Sequence, residues 1–176
     1  MDDYTLVSQC AEGSPKAQRA LFDKFAPKML SVCRRYLQNI EEAEDVLQDG
    51  FVKIFQKIGE FKMEGSLEGW IRRIMVNTAL DALRKKKKLL ADLNVDDVSY
   101  KLPFEDHGFG DMDLRFLLQL IDKLPDGYRV VFNMFAIEGY SHKEIADTLG
   151  VTENTSKSQY SRARAYLRAQ MEKLEQ

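Results

Sequence analysis

Cysteine is scarce in this chain. Cys10 and Cys33 are the only two, and their spacing suggests neither a disulfide framework nor a metal site. Free thiols in a reducing compartment are the expectation, with Cys33 lying in an apolar stripe as part of the core. Long apolar runs are also lacking. No window approaches the ~20 residues needed to cross a bilayer. The N-terminus, MDDYTLVSQC, has neither the basic start nor the apolar centre of a signal peptide. Membrane insertion is therefore not expected, and a cytoplasmic protein is. Strand signals are missing too: β-branched residues are scattered, and no hairpin dipeptide stands between alternating runs.

Catalytic constellations are absent as well. His107 lies in an Asp- and Gly-containing stretch and His142 at a helix start, and the residues around neither suggest a triad. HExxH and CxxC spacings and Gly-rich phosphate loops do not occur. The pair Asp96-Asp97 lacks the rigid support that a catalytic pair needs. No catalytic residue, no metal and no cofactor are expected, so the chain does not read as an enzyme.

What the sequence does have is helical periodicity and an uneven spread of charge. Its 176 residues, 44% hydrophobic and 31% charged, suit a globular protein of one ordinary domain or two small ones. The spacing predicts a helix from about Pro15 to Leu37, bent at Pro27, with Leu21, Phe22, Phe25, Met29, Cys33 and Tyr36 on one face. Asn39 and Glu42 form a capping-box-like pair for a second helix, buried along Ala43, Val46, Leu47, Phe51, Ile54, Phe55 and Ile58. Ser66 caps a third helix to about Lys87, with Leu67, Ile71, Ile74, Met75, Thr78 and Ala82 inward. Three such helices can close one core.

Periodicity fails from about Leu89 to Met112, where Pro103, Gly108, Gly110 and several Asp indicate a flexible acidic linker. Asp113 to Leu124 reads as helix, Pro125-Asp126-Gly127 as a turn, and Tyr128 to Ile137 as another helix. The expected fold class is all-α, with two small helical domains, 1–88 and 113–176, joined by the linker 89–112.

The last part carries the clearest motif. Ser141 caps the short helix SHKEIADTLG with Glu144 in the reciprocal position, Ala146 permits close helix approach, and Gly150 allows the positive φ of a tight turn. A new helix follows at Thr152, giving helix-turn-helix spacing. Along it Ser156, Tyr160, Ala163 and Leu167 form the buried stripe. Asn154, Lys157, Ser158, Ser161 and Arg162 lie opposite, with Arg168 near the edge. Short polar residues interleaved with cations suit a DNA major groove. A solvated face usually carries more Glu, and none lies between Asn154 and Gln170.

The net charge of −2 conceals two further faces. Trp70, Arg73, Asn77 and Arg84 fall together beside the third helix's core stripe, and that helix runs into RKKKK. An aromatic face can stack on an unpaired base while the cations hold the backbone. Equally, Trp70 could wedge the bundle, and the lysines could be a helix end favoured by the macrodipole. The second helix presents Asp45, Gln48, Asp49 and Gln56, an acidic surface suited to solubility or to a protein partner.

These residues together resemble the extracytoplasmic-function sigma factors, the smallest two-domain members of the bacterial sigma-70 family. AEDVLQDGFVKIF and SLEGWIRRIMVNTALDALRKK look like sigma region 2. LIDKLPDGYRVVFNMFAIEGYSHKEIADTLGVTENTSKSQYSRARAYL looks like region 4. The resemblance implies promoter-specific transcription initiation with core RNA polymerase, whose β′ clamp helices would take Asp45, Gln48 and Asp49 and whose β flap is a further partner. It implies that Trp70, Arg73, Asn77 and Arg84, with the loop at about 61–65, read and open the −10 element of promoter DNA. Asn154, Lys157, Ser158, Ser161 and Arg162 would then dock on the −35 element. An anti-sigma factor is an implied partner, and with no long C-terminal extension regulation is expected from a separate protein. Ser156 departs from the family's usual Val or Ile and is expected to loosen helix packing slightly. Gln159 stands where Arg is common and is expected to alter −35 preference. A stand-alone helix-turn-helix regulator is the alternative function, and a helical adaptor that binds only protein is a further one.

Overall fold

The computed structural model describes residues 1–86 and 114–174, so the predicted linker 89–112 lies outside the described residues. The chain divides into two compact units, Met1–Lys85 and Lys86–Gln176. Among the described residues every regular element is helical, in keeping with the all-α expectation.

The N-terminal unit has four helices: α1 (Asp3–Ala11), α2 (Pro15–Tyr36), α3 (Ile40–Lys57) and α4 (Leu67–Lys85), with a 3-10 turn at Ile58–Glu60. Helix α1 is not among the predicted helices, because its charged start and small apolar set give little periodicity. Asp2 caps it by accepting from Thr5 N at 2.7 Å, and Leu6, Val7 and Cys10 are buried. An ion pair between Asp3 and Lys24 at 2.8 Å ties it to α2. Helix α2 starts at Pro15 behind its cap Ser14 and continues through Pro27, with the Ser31 hydroxyl donating to the Pro27 carbonyl at 3.3 Å.

Asn39 caps α3, accepting from the amides of Glu41 and Glu42 at 2.9 and 3.2 Å. Ser66 caps α4 through Gly69 N at 3.1 Å. Helices α2, α3 and α4 all pack on one another, and this triangular arrangement widens the buried arc of α4 beyond its predicted stripe. Val76, Ala79, Leu80 and Leu83 are buried, whereas Ile74 and Ala82 are only half-buried. Where α3 meets α4, Gly50 is buried and a Cβ there would overlap the Met75 side-chain sulfur.

The C-terminal unit comprises α5 (Leu114–Asp122), α6 (Asp126–Phe132), a π-helical segment (Asn133–Ile137), α7 (His142–Leu149) and α8 (Glu153–Leu174). Its core joins Leu120, Ile121 and Leu124 to Phe132, Ala163 and Leu167. Pro125-Asp126-Gly127 is not a separate turn. Pro125 caps α6, and Asp126 and Gly127 form its first turn. Asp126 pairs with Arg129 at 2.8 Å, and the Arg129 guanidinium also donates to the Leu124 carbonyl at 3.2 Å, holding the chain helical there.

Candidate nucleic-acid and partner interfaces

The helix-turn-helix is α7 and α8. Ser141 accepts from Glu144 N at 3.1 Å while Glu144 accepts from Ser141 N at 3.3 Å, a complete capping box. Gly150 has φ 70°, and its N–H and that of Val151 both donate to the Ala146 carbonyl, at 2.9 and 3.1 Å. Thr152 then caps α8 by accepting from Thr155 N at 3.1 Å. Only glycine enters the left-handed turn without strain, so this corner is written into local residues.

Along α8, Ser156, Ala163 and Leu167 are buried, as the stripe requires. Asn154 and Lys157 are exposed, and Ser158, Ser161 and Arg162 are half-buried on the outward side; Arg168 is exposed further along. The structure thus brings the proposed −35 residues onto one helix.

Two departures acquire a physical account here. Ser156 is hydrogen-bonded to His142 Nδ1 at 2.8 Å, so it pins α8 to the start of α7 rather than loosening the packing. The His142 ring stacks on Phe135 with centroids 4.2 Å apart and 12° between planes, and Tyr160 closes the cluster from α8. Burial pushes the His142 imidazole below its ordinary pKa, Lys157 adds to the effect, and Glu153 opposes it. Gln159 is fully buried, so it is not placed to touch DNA directly; neither of its amide atoms has a hydrogen-bond partner among the described residues. Polarity suggested a surface residue, and only the packed helix shows otherwise.

The second face lies on α4. Arg73 and Asn77 are exposed, and Trp70 is half-buried, its ring 5.4 Å from that of buried Phe61 at the end of the preceding turn. Trp70 therefore packs on Phe61 while part of its ring stays accessible. Phe61, as the platform of Trp70, was not foreseen from the pattern. Between them the loop passes through Met63 and Gly65 with φ 58° and 81°. Arg84 is about 21 Å along the helix from Trp70 and pairs with Asp81 at 3.0 Å. Lys85 and Lys86 are exposed, and the remainder of the basic run lies outside the described residues.

The third face lies on α3. Asp45, Gln48 and Asp49 are all exposed on one side of this helix. No cluster of His, Cys, Asp or Glu among the described residues could hold a metal ion. No described helix is long and apolar enough to cross a membrane. The thiol of Cys33 is pushed up to about 12 by burial, which makes it a poor nucleophile.

Two helical units, one ending in a capped helix-turn-helix with a cationic outer face, define a helical DNA-binding protein. Residues 21–89 match the family described as Sigma-70 region 2, and residues 115–167 match Sigma-70, region 4. The ECF RNA polymerase sigma factor SigW of Bacillus subtilis is 30% identical over 96% of this chain and 96% of its own. The RNA polymerase sigma-H factor of Pseudomonas aeruginosa is 29% identical over 92% of this chain and 90% of its own. The chain belongs to the ECF sigma factors of the sigma-70 family. A solved structure of the sigma factor RpoE with the anti-sigma factor NepR, from Bartonella quintana, shares the fold. Its TM-score is 0.55 at 22% identity, over 88% of this chain and 96% of that one.

Proposed function

We propose that this chain is a promoter-recognition subunit that joins core RNA polymerase inside the cell and directs initiation at its own promoter class, without performing chemistry itself. The observation that carries the reading is the capped helix-turn-helix with Asn154 and Lys157 outward on α8, in one chain with the acidic face of α3. In this reading Asp45, Gln48 and Asp49 dock on the β′ clamp helices. Trp70, Arg73, Asn77 and Arg84, with loop 61–65, hold the −10 element open, and the loop takes an unstacked base. Unstacking costs a few kcal/mol, which capture of the base must offset. Asn154, Lys157, Ser158, Ser161 and Arg162 take the −35 element beside the β flap. Each unit binds DNA weakly, and the polymerase fixes their spacing, raising effective concentration without new contacts. As RpoE of Bartonella is held by NepR, a separate anti-sigma factor silences this chain by covering one of the three faces.

Run-off transcription with core polymerase and a genomic promoter library tests the reading. Transcripts that need the chain and share paired upstream elements are expected. None, with folded protein and several core enzymes, would favour a stand-alone regulator. Arg162→Ala is expected to weaken promoter binding by ~1–3 kcal/mol in the presence of core enzyme. An equal loss on random DNA would make Arg162 a phosphate contact rather than a base contact.

A further inference from the structure

We propose that Val52 is the apolar anchor of the partner-docking face on α3, a position that the acidic pattern alone does not mark. The inference rests on the reading of that face as the site where core polymerase binds, and it names what that partner must present. Val52 is 55% exposed. At about 100° per residue it falls between Glu41 and Asp45 on the helix circumference, with Gln48 on one side and Gln56 and Asp49 on the other. All five of these neighbours are exposed. Lys53, the adjacent cation, points elsewhere and lies 3.7 Å from Asp81 of α4. The surface is therefore a ring of carboxylates and amides around a single branched aliphatic side chain, with no cation in the arc.

Single exposed apolar residues are ordinary, but Val52 differs in its position. It stands on the midline of a face whose Asp45, Gln48 and Asp49 have no hydrogen-bond or ion-pair partner among the described residues. A β-branched residue is also a poor choice for a purely solvated helix position, since it loses side-chain freedom there without packing. Protein interfaces commonly have this anatomy: an apolar centre that carries much of the binding free energy and a polar rim that excludes water and sets orientation. Charge complementarity fixes the occupant as a basic surface of core polymerase with an apolar recess at its middle. The acidic rim speeds encounter, and Val52 slows departure.

The test measures affinity of the full chain for purified core polymerase at two salt concentrations, comparing wild type with Val52→Ala, Val52→Glu and the double variant Asp45→Ala/Asp49→Ala. Alanine is the better helix former, so Val52→Ala folds at least as well as wild type, and circular dichroism checks this. Val52→Ala is expected to weaken binding about 15-fold, as loss of two buried methyl groups would. It should act mainly on the dissociation rate and leave the salt dependence intact. Val52→Glu should weaken binding further, while the double variant should lower the association rate and flatten the salt dependence. Wild-type binding by both Val52 variants, with the double variant weakened, would overturn the anchor and leave the docking face standing. Wild-type binding by all three would overturn the docking face and the anchor with it.

Discussion

In the N-terminal unit the described core is apolar almost throughout. Thr78 is its one buried polar residue, and its hydroxyl donates to the Ile74 carbonyl at 2.7 Å. The C-terminal unit buries Arg129, Asn133, Ser156 and Gln159 within a comparable length of chain. Apolar burial is non-directional, so it gives stability without fixing a single arrangement of helices. Hydrogen bonds and ion pairs tolerate only narrow geometries, and unmade ones are costly when buried. The first unit, held by close packing of α2, α3 and α4, can present surfaces on several sides. The second is held partly by polar contacts: Arg129 to Asp126 and Leu124, and Ser156 to His142. These fix the start of α6 and the seating of the recognition helix α8 on α7. The polar core makes the second unit the more specified and the more fragile of the two.

Variants can break that contrast, and the sole tryptophan, Trp70, makes them separable because its fluorescence reports on the first unit alone. Arg129→Ala should have the largest effect. It removes a cation only 2% exposed and strands Asp126. Since Asp126 keeps some contact with solvent, the loss should be near the low end for a broken buried pair, about 3 kcal/mol. Circular dichroism should show part of the helix melting early while the Trp70 transition stays in place. Gln159→Leu should act the other way. Replacing an unpartnered buried amide by an apolar side chain of similar size is expected to stabilise the second unit by about 1 kcal/mol, read as a raised second transition.

Between pH 7 and pH 5 the pH dependence should come mainly from the second unit, because the carboxylates held low in the first, Asp2 and Glu68, titrate at more acid pH. Burial holds folded His142 below its ordinary value of 6.5, so the unfolded chain binds a proton more readily than the folded one. Its contribution is complete above the unfolded value and is lost as pH falls through the folded one, with Lys157 reinforcing and Glu153 opposing the trend. Denaturant melts between pH 7 and pH 5 should therefore show the second unit weakening, and His142→Asn should flatten that response. The smallest change is expected at Gly50→Ala in the first unit. The added Cβ meets only the flexible end of Met75, and the gain in helix propensity of up to ~1 kcal/mol offsets the rearrangement, leaving the Trp70 transition within about 1 kcal/mol of wild type.

The same contrast explains what could be read from the sequence. Helices α2, α3, α7 and α8 announce themselves through caps and periodic apolar stripes. Asn39, Ser66, Ser141 and Gly150 do in the structure what local chemistry predicts. The outward stripes of α4 and α8 and the acidic stripe of α3 were legible as helix faces because position on a helix follows from spacing alone. Tertiary packing decided the rest. Helix α1 is short, and its apolar set of Leu6, Val7 and Cys10 becomes a stripe only against α2. The wider burial of α4 reflects two neighbours rather than one. Pro125 looked like part of a turn because the partner that stabilises the first turn of α6, Arg129, is recognisable only when folded. Ser156 is buried as its place in the stripe predicts, but its partner His142 is recognisable only in the folded unit. Gln159 shows that a polar residue inside a core can be told from a surface one only by what surrounds it.

On the proposed reading, neither unit recognises a promoter tightly alone, and core polymerase makes them act together. Fluorescence anisotropy on a promoter carrying the elements found by run-off transcription tests it most directly, with the full chain alone and with core enzyme added. Weak, salt-sensitive and sequence-indifferent binding by the chain alone is expected, with tight, specific binding once core polymerase is present. Tight and specific promoter binding by the free chain, unchanged by core enzyme, would contradict that reading.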